Sequence, residues 1–124
     1  MSEIISTEKA PTAIGPYSQA IKAGDLLFTS GQIPIDPATG EFAGNTIEEQ
    51  AHQACKNVGE ILKAAGSDFD KVIKTVCFVA DIADFATFNE VYAQYFISKP
   101  ARSCVAVKDL PKGALVEIEA IAEI

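Results

Sequence analysis

The feature that most constrains the fold is the run VIKTVCFVA at residues 72–80, which is rich in apolar and β-branched side chains. Such a run predicts a strand that is buried on both faces of a sheet. The rest of the sequence indicates only two helices, and two helices can cover only one face of a sheet. Another copy of the same chain is the most economical cover for the second face. The run therefore favours a homo-oligomer and leaves the number of copies open.

Glycine and proline divide the rest of the chain into short blocks typical of strands and longer blocks typical of helices. Residues 17–22 and 26–30 flank the turn Ala23-Gly24-Asp25 and predict a hairpin. Residues 34–44 predict a surface loop. Arg102 to Val107 predicts a strand, and Leu115 to Ile124 predicts a final one. The predicted order is two or three strands, a helix, a strand, a second helix and two strands, all in a single domain.

The two helices have recognisable starts and apolar stripes. Thr46 and Glu49 stand at the spacing of a capping box, and Gly66 supplies a stop for the first helix. Asp81 or Asp84 can cap the second. The stripes that follow have helical spacing: Ile47, Ala51, Ala54, Val58, Ile61, Leu62 and Ala65 in the first, and Phe85, Phe88, Val91, Tyr92, Tyr95 and Phe96 in the second.

Composition excludes some classes of function. The 124 residues are 48% hydrophobic, and 10 basic against 17 acidic residues give a net charge of −7. Nucleic acid is therefore not the expected partner, because phosphate binding draws on clustered Lys and Arg. A small anionic ligand needs only one or two local cations and stays possible. No signal peptide or membrane span is visible, so we expect a cytoplasmic protein without a membrane partner.

The cysteines predict neither a disulfide framework nor a metal site. Cys55, Cys77 and Cys104 are an odd number at wide spacings, and His52 is the single histidine. Cys55 and Cys77 are predicted to be small core residues. His52 lies off the apolar stripe of its helix and is predicted to be a surface residue. Cys104 could be a nucleophile, but no histidine stands near it to activate it.

Two groups of charged residues lie in otherwise apolar strands. Residues 116–122 alternate strictly, so Glu117 and Glu119 share one face of the last strand. That face is either solvated, or one glutamate pairs with a cation, or one glutamate positions a water molecule. Arg102 opens the stretch PARSCVAV, and a guanidinium needs an anionic partner when buried. The partner is either a carboxylate of this chain or the carboxylate of a ligand. Spacing alone leaves these alternatives open.

Several motifs of the chain resemble those of one family, the reactive intermediate deaminases, also called RidA or YjgF. The resemblance covers almost the whole chain, from about Ala10 to the C-terminus. It is carried by residues 13–20 (AIGPYSQA), 30–34 (SGQIP), 84–89 (DFATFN), 100–105 (PARSCV), Leu110 and 116–118 (VEI).

The resemblance implies an α+β fold with a chorismate-mutase-like mixed sheet, two helices on one face, and a homotrimer with clefts between subunits. From the sequence alone, the last two strands would pair as a simple hairpin. The resemblance implies instead that the final strand inserts beside earlier strands. It also implies hydrolysis of reactive enamines and imines, chiefly 2-aminoacrylate and 2-iminopropanoate, which are released by pyridoxal-phosphate enzymes. The products would be 2-oxo acids and ammonia, and no metal or organic cofactor would be required.

The resemblance also assigns residues to a site. Arg102 would clamp the carboxylate of the substrate, and Glu117 would position the attacking water and handle its proton. Backbone N–H groups around Gly31 and Cys104 would complete the carboxylate cradle. Three further positions match the family's pocket and would shape the site: Tyr17, Ser30 and Asn89.

Three functions from different classes follow from these observations. The first is the imine deaminase. The second is a ligand-sensing regulatory module that would use the same cleft. The third is an endoribonuclease, a label attached to some relatives, against which the acidic composition argues.

Overall fold

The computed structural model describes residues 2–124, which form six strands and two helices. In chain order these elements are β1 (Ser2–Ile5), β2 (Ala20–Ala23), β3 (Leu26–Thr29), α1 (Ile47–Ala64), β4 (Val72–Val79), α2 (Phe85–Tyr95), β5 (Ala101–Ala106) and β6 (Val116–Glu123). The predicted order is confirmed, and the N-terminal β1 is its third early strand.

The six strands form one mixed sheet in the order β1-β2-β3-β6-β4-β5. β4 and β5 are parallel, because α2 carries the chain back between them, and every other neighbouring pair is antiparallel. The last strand therefore inserts between β3 and β4, as the family resemblance implies. The hairpin between β5 and β6 that the sequence alone suggests is wrong.

The core lies between the helices and one face of the sheet. Val116, Ile118 and Ala122 of β6 are almost completely buried and share one cluster with the apolar stripe of α1. The alternation of β6 is the cause, because every second side chain of a strand points to the same face. Cys55 and Cys77 are fully buried in this cluster, as predicted. The predicted α+β layering, with both helices on one face, is confirmed.

Most of the predicted helix ends are confirmed. Thr46 and Glu49 form the capping box, in which Thr46 Oγ1 accepts from Glu49 N at 3.2 Å. Gly66 follows the end of α1 at a φ of +80°, a conformation that favours glycine. Asp81 caps the short 3₁₀ turn before α2, and its Oδ1 accepts from Ala83 N at 2.9 Å. Asp84 stands at the N-cap position, just before α2, but its side chain makes no capping bond.

The second face of the sheet is open in the single chain. β4 is buried on its helix side only; on its other side Lys74, Val76 and Phe78 are half-buried and Ile73 is exposed. The prediction of a strand buried on both faces is therefore not met within one chain. Phe28 of β3 is 42% exposed on the open face, where it pairs with Ile121 of β6. None of the helices within residues 2–124 has the length and apolar character that crossing a membrane requires.

Candidate active site

Arg102 lies on β5, which is an edge strand of the sheet, and its side chain turns toward α2. Its Nη1 donates to Asn89 Oδ1 at 2.7 Å. The central guanidinium carbon lies 4.8 Å from the ring centroid of Tyr92 and 5.5 Å from that of Phe85. An amide oxygen and two aromatic faces stabilise a cation without neutralising it. This half-buried guanidinium borders a cavity of about 540 Å³ lined also by Asn89, Tyr92, Phe96 and Lys99.

The backbone of β5 presents amide donors beside this cation. Val107 N donates to Val79 O at 3.0 Å, so Val107 faces the neighbouring strand β4. In a parallel pair, alternate residues of a strand bond to the same neighbour. The N–H groups of Arg102 and Cys104 therefore point to the outer edge of the sheet, where a ligand can accept from them. This geometry agrees with a carboxylate cradle at Cys104.

The thiol of Cys104 is a poor candidate for a nucleophile. Burial raises its pKa, and the nearby charge of Arg102 lowers it by less. Cys77, its register partner on β4, is more deeply buried, which raises its pKa to about 12. Both thiols therefore stay protonated at neutral pH, and the thiolate is the reactive form. What Cys104 can offer a ligand is therefore its backbone N–H group and its shape, not a thiolate.

Glu117 lies on the other side of the sheet, close to the segment that follows β3. Gln32 N donates to Ile118 O at 2.7 Å, and Ile118 N donates to Gln32 O at 3.1 Å. This isolated bridge brings Gly31 against the carboxylate of Glu117. A Cβ at residue 31 would overlap Glu117 Oε2 and would lie 2.7 Å from Glu117 Cδ. With Glu117 in this position only a hydrogen fits at residue 31, so a side chain there would displace the carboxylate.

The environment of Glu117 favours proton exchange. Burial raises the pKa of its carboxyl group, and the negative charge of Glu119 on the same face raises it further. A carboxyl group whose pKa lies closer to neutrality is better suited to accept and return a proton. The arrangement can therefore act as a general base on a bound water.

Tyr17 and Ser30 accompany Glu117, as the family resemblance implies. Both line a cavity of about 430 Å³ together with Ile14, Gly31, Ile33, Pro111, Glu117 and Glu119. Ser30 Oγ donates to Ser18 O at 2.6 Å, so this hydroxyl is fixed by the backbone. Tyr17 lies outside the strand predicted for residues 17–22, because β2 begins only at Ala20. Its side chain is 49% exposed.

A single chain does not bring Arg102 and Glu117 together. Arg102 pairs in register with Thr75 on the helix side, whereas Glu117 pairs with Phe78 on the open side. β4 lies between their strands, so the backbones are about 10 Å apart across the sheet and about 10 Å apart along it. The alternative in which Arg102 forms an ion pair with Glu117 or Glu119 is therefore wrong within one chain. The predicted site residues form two half-sites instead. The Arg102 half-site contains Asn89, Arg102 and Cys104, and the Glu117 half-site contains Tyr17, Ser30, Gly31 and Glu117.

The sequence interpretation missed the residues beneath the guanidinium. It placed Phe85 and Tyr92 only in the apolar stripe of the second helix, as core residues, but both rings also contact Arg102. The signal was present, because Asn89 and Tyr92 are three residues apart and lie on one face of α2. His52 was predicted to be a surface residue, and this is wrong. It is half-buried, and its Nδ1 lies 2.8 Å from Tyr95 Oη.

No group of three or more His, Cys, Asp or Glu side chains within residues 2–124 is arranged to hold a metal ion. The chemistry that the two half-sites offer is binding of an anion at one and proton transfer at the other.

Known proteins resemble the chain over nearly its full length. The family model described as Endoribonuclease L-PSP matches residues 7–124. The human 2-iminobutanoate/2-iminopropanoate deaminase is 55% identical over 120 residues, covering 96% of this chain and 88% of the human protein. Reactive Intermediate Deaminase A from Arabidopsis thaliana is 54% identical, covering 97% of this chain and 65% of the plant protein. The crystal structure of E. coli TdcF with bound serine superposes with a TM-score of 0.94 at 48% identity, covering 98% of each chain. The chain therefore belongs to the reactive intermediate deaminase family, RidA or YjgF, which the matching family model describes as Endoribonuclease L-PSP.

Proposed function

We propose that this chain is an imine deaminase that acts on 2-iminobutanoate, 2-iminopropanoate and the related enamine 2-aminoacrylate. The products are the 2-oxo acids and ammonia. Relatives at 54 to 55% identity that are named as such deaminases support a deaminase function. The observation that carries the substrate class is the guanidinium of Arg102, whose bond within residues 2–124 is to a neutral amide oxygen. A planar cation held in this way suits a small carboxylate.

We further propose that the active site forms between two copies of the chain in a homotrimer. The Arg102 half-site of one copy would face the Glu117 half-site of a neighbour. Two observations support this arrangement: the half-sites lie on opposite sides of one sheet, and the open face of that sheet carries exposed apolar side chains such as Phe28. Burial of an open apolar face against identical copies is the usual route to a symmetric oligomer.

The reaction at such a site requires two roles from the protein. Arg102 and the outer N–H groups of β5 hold the carboxylate of the substrate. After tautomerisation of an enamine to its imine, water adds to the imine carbon and forms a C–O bond, while Glu117 accepts a proton from the water. Glu117 returns this proton to the nitrogen, which gives a neutral carbinolamine. It then takes the proton of the new hydroxyl group and delivers it to the nitrogen, so that the C–N bond breaks, the C=O bond forms and ammonia leaves. Imine and water thus balance 2-oxo acid and ammonia.

The test generates 2-aminoacrylate from serine with a serine dehydratase and follows the loss of the imine spectroscopically. We expect this protein, at a concentration far below that of the substrate, to accelerate the loss. Absence of acceleration at such concentrations would contradict the proposal.

A ligand-sensing role is the second candidate, because the TdcF structure contains a bound amino acid and the same cleft would serve. Saturable binding of serine or of 2-oxobutanoate, without any acceleration of imine loss, would favour that role. Cleavage of RNA by the pure protein, abolished by Arg102→Ala, would favour the endoribonuclease. The net charge of −7 argues against that outcome.

A further inference from the structure

The guanidinium of Arg102 rests on a residue that is itself held in place. The ring of Tyr92 lies under the guanidinium, with 4.8 Å between its centroid and the central carbon. At its far end, Tyr92 Oη and Thr75 Oγ1 share a hydrogen bond of 2.7 Å. The ring also stacks on Phe96 at a centroid distance of 4.4 Å and an interplanar angle of 21°. Packing and a hydrogen bond therefore fix both the plane and the end of this ring.

Thr75, which holds the hydroxyl of Tyr92, lies on the strand next to that of Arg102. Thr75 is fully buried on β4 and is the register partner of Arg102 on the neighbouring parallel strand. The chain of contacts thus runs from Arg102 to Tyr92, from Tyr92 to Thr75, and from Thr75 across the sheet to the backbone of Arg102. A closed set of contacts of this kind restricts a long, flexible side chain to one orientation.

We infer that Thr75 and Tyr92 are positioning residues that orient the Arg102 guanidinium for a bidentate contact with the substrate carboxylate. The inference rests on the proposed function, in which Arg102 holds that carboxylate. Asn89 accepts a hydrogen bond from only one nitrogen of the Arg102 guanidinium, Nη1. The remaining donors of the planar fork are then presented at a fixed angle, so less rotational freedom is lost when the ligand binds.

The protonation state of Tyr92 agrees with this role. Burial raises the pKa of its phenol, so the O–H group stays intact at neutral pH. A neutral phenol can exchange a hydrogen bond with a threonine hydroxyl, and its ring face attracts a cation.

The test uses two variants that each remove one hydroxyl group, Tyr92→Phe and Thr75→Val. Tyr95→Phe is the matched control, because Tyr95 lies three residues further along α2 and its hydroxyl contacts His52 instead of Thr75. We expect each of the two variants to raise KM for the imine, and the dissociation constant for 2-oxobutanoate, by roughly three- to tenfold, the effect of one hydrogen bond. We expect kcat to change by less than KM, because carboxylate binding is shared by ground and transition states. In the Tyr95→Phe control, KM, kcat and the dissociation constant should all stay at their wild-type values.

The double variant Thr75→Val/Tyr92→Phe sharpens the test. Both hydroxyls belong to one hydrogen bond. The double variant should therefore raise KM and the dissociation constant no further than the more affected single variant does. An unchanged KM in Tyr92→Phe and Thr75→Val, in protein whose thermal unfolding midpoint is retained, would overturn the inference. A fall in kcat with unchanged KM would overturn it as well.

A spectroscopic measurement separates this inference from the proposed function. Arg102 is the only arginine of the chain, so its Nε–Hε group gives a single signal in a ¹H–¹⁵N correlation spectrum. We expect this signal to move or broaden in Tyr92→Phe and Thr75→Val and to stay in place in Tyr95→Phe. If the wild-type protein neither hydrolysed imines nor bound 2-oxobutanoate, the proposed function would fail. The Nε–Hε signal alone would then decide whether Thr75 and Tyr92 orient the guanidinium. The same signal position in all four proteins would overturn the positioning.

Discussion

The Arg102 half-site and the Glu117 half-site are built in different ways. The first lies where β5 meets α2, and the guanidinium there contacts Asn89 and the ring of Tyr92, which is itself held by a hydrogen bond with Thr75. The second lies on the open side of the sheet, where Glu117 is held by a neighbouring glycine and faces a cavity. Within one chain the guanidinium therefore has its supporting contacts, whereas the carboxylate of Glu117 lines an open cavity. In the proposed function, a second copy of the chain brings an Arg102 half-site to that cavity.

Replacement of Arg102 should give the largest effect on activity. We expect Arg102→Ala to reduce imine hydrolysis by about a hundredfold or more, since it removes the charged partner of a desolvated carboxylate. The thermal unfolding midpoint should change little, because Arg102 is only half-buried on an edge strand. Lys108→Ala removes one positive charge just beyond β5 and is the matched control. Equal losses in both variants would mean that only the overall charge matters.

Replacement of Glu117 should affect turnover and leave binding intact. We expect Glu117→Gln to lower kcat by about a hundredfold, the usual contribution of a general base. The dissociation constant for 2-oxobutanoate should stay within a factor of about two, because the carboxylate is held at the other half-site. Calorimetric titration and steady-state kinetics of the same preparation measure both quantities. Loss of binding together with loss of folding would show that Glu117 has a structural role.

A methyl group at residue 31 should disturb the Glu117 half-site without removing any of its groups. We expect Gly31→Ala to displace the carboxylate of Glu117 and to lower kcat by roughly ten- to a hundredfold. The fold should persist, since the displaced atoms are the end of a flexible side chain. When Gly31→Ala is introduced into the Glu117→Gln variant, kcat should fall little further. A full additional loss there would mean that Gly31 acts through something other than Glu117.

The smallest effect concerns stability and pH. Burial gives the carboxyl group of Glu117 a higher pKa in the folded chain than in the unfolded chain. The folded state therefore binds more protons between these two pKa values, and this contribution to the free energy of unfolding falls as pH rises through the folded pKa. Glu117→Gln removes the contribution, so the variant should gain stability relative to wild type between about pH 4 and about pH 8. Urea unfolding at one fixed protein concentration measures this difference. A variant that loses relative stability over that range would contradict the pKa direction.

Local patterns predicted most of the elements, and contacts distant in sequence account for what was missed. The alternation of residues 116–122 predicts which side chains of β6 are buried, and the capping box predicts the start of α1. Both signals depend only on near neighbours in sequence. The insertion of β6 between β3 and β4 depends on pairing between distant segments, so periodicity alone suggested a hairpin.

The same limit applies to the site. The sequence and the family resemblance proposed Arg102 and Glu117 as site residues, and the alternation of residues 116–122 placed Glu117 on one face of β6. That Arg102 lies on the opposite face follows only from the register of β4 with both neighbouring strands. Tyr92 was assigned to the core because a buried aromatic ring at helical spacing usually has no other role. Its contact with the guanidinium depends on how α2 packs against β5.

Mixed oligomers of two inactive variants test the shared site most directly. Arg102→Ala and Glu117→Gln, unfolded together in equal amounts and refolded, would form oligomers with randomly distributed copies. Where each site takes Arg102 from one copy and Glu117 from another, about a quarter of the sites would carry both intact residues. We expect the mixture to recover about a quarter of the wild-type rate of imine hydrolysis, with no recovery when either variant is refolded alone. A mixture that stays as inactive as the separate variants would contradict a site built from two copies.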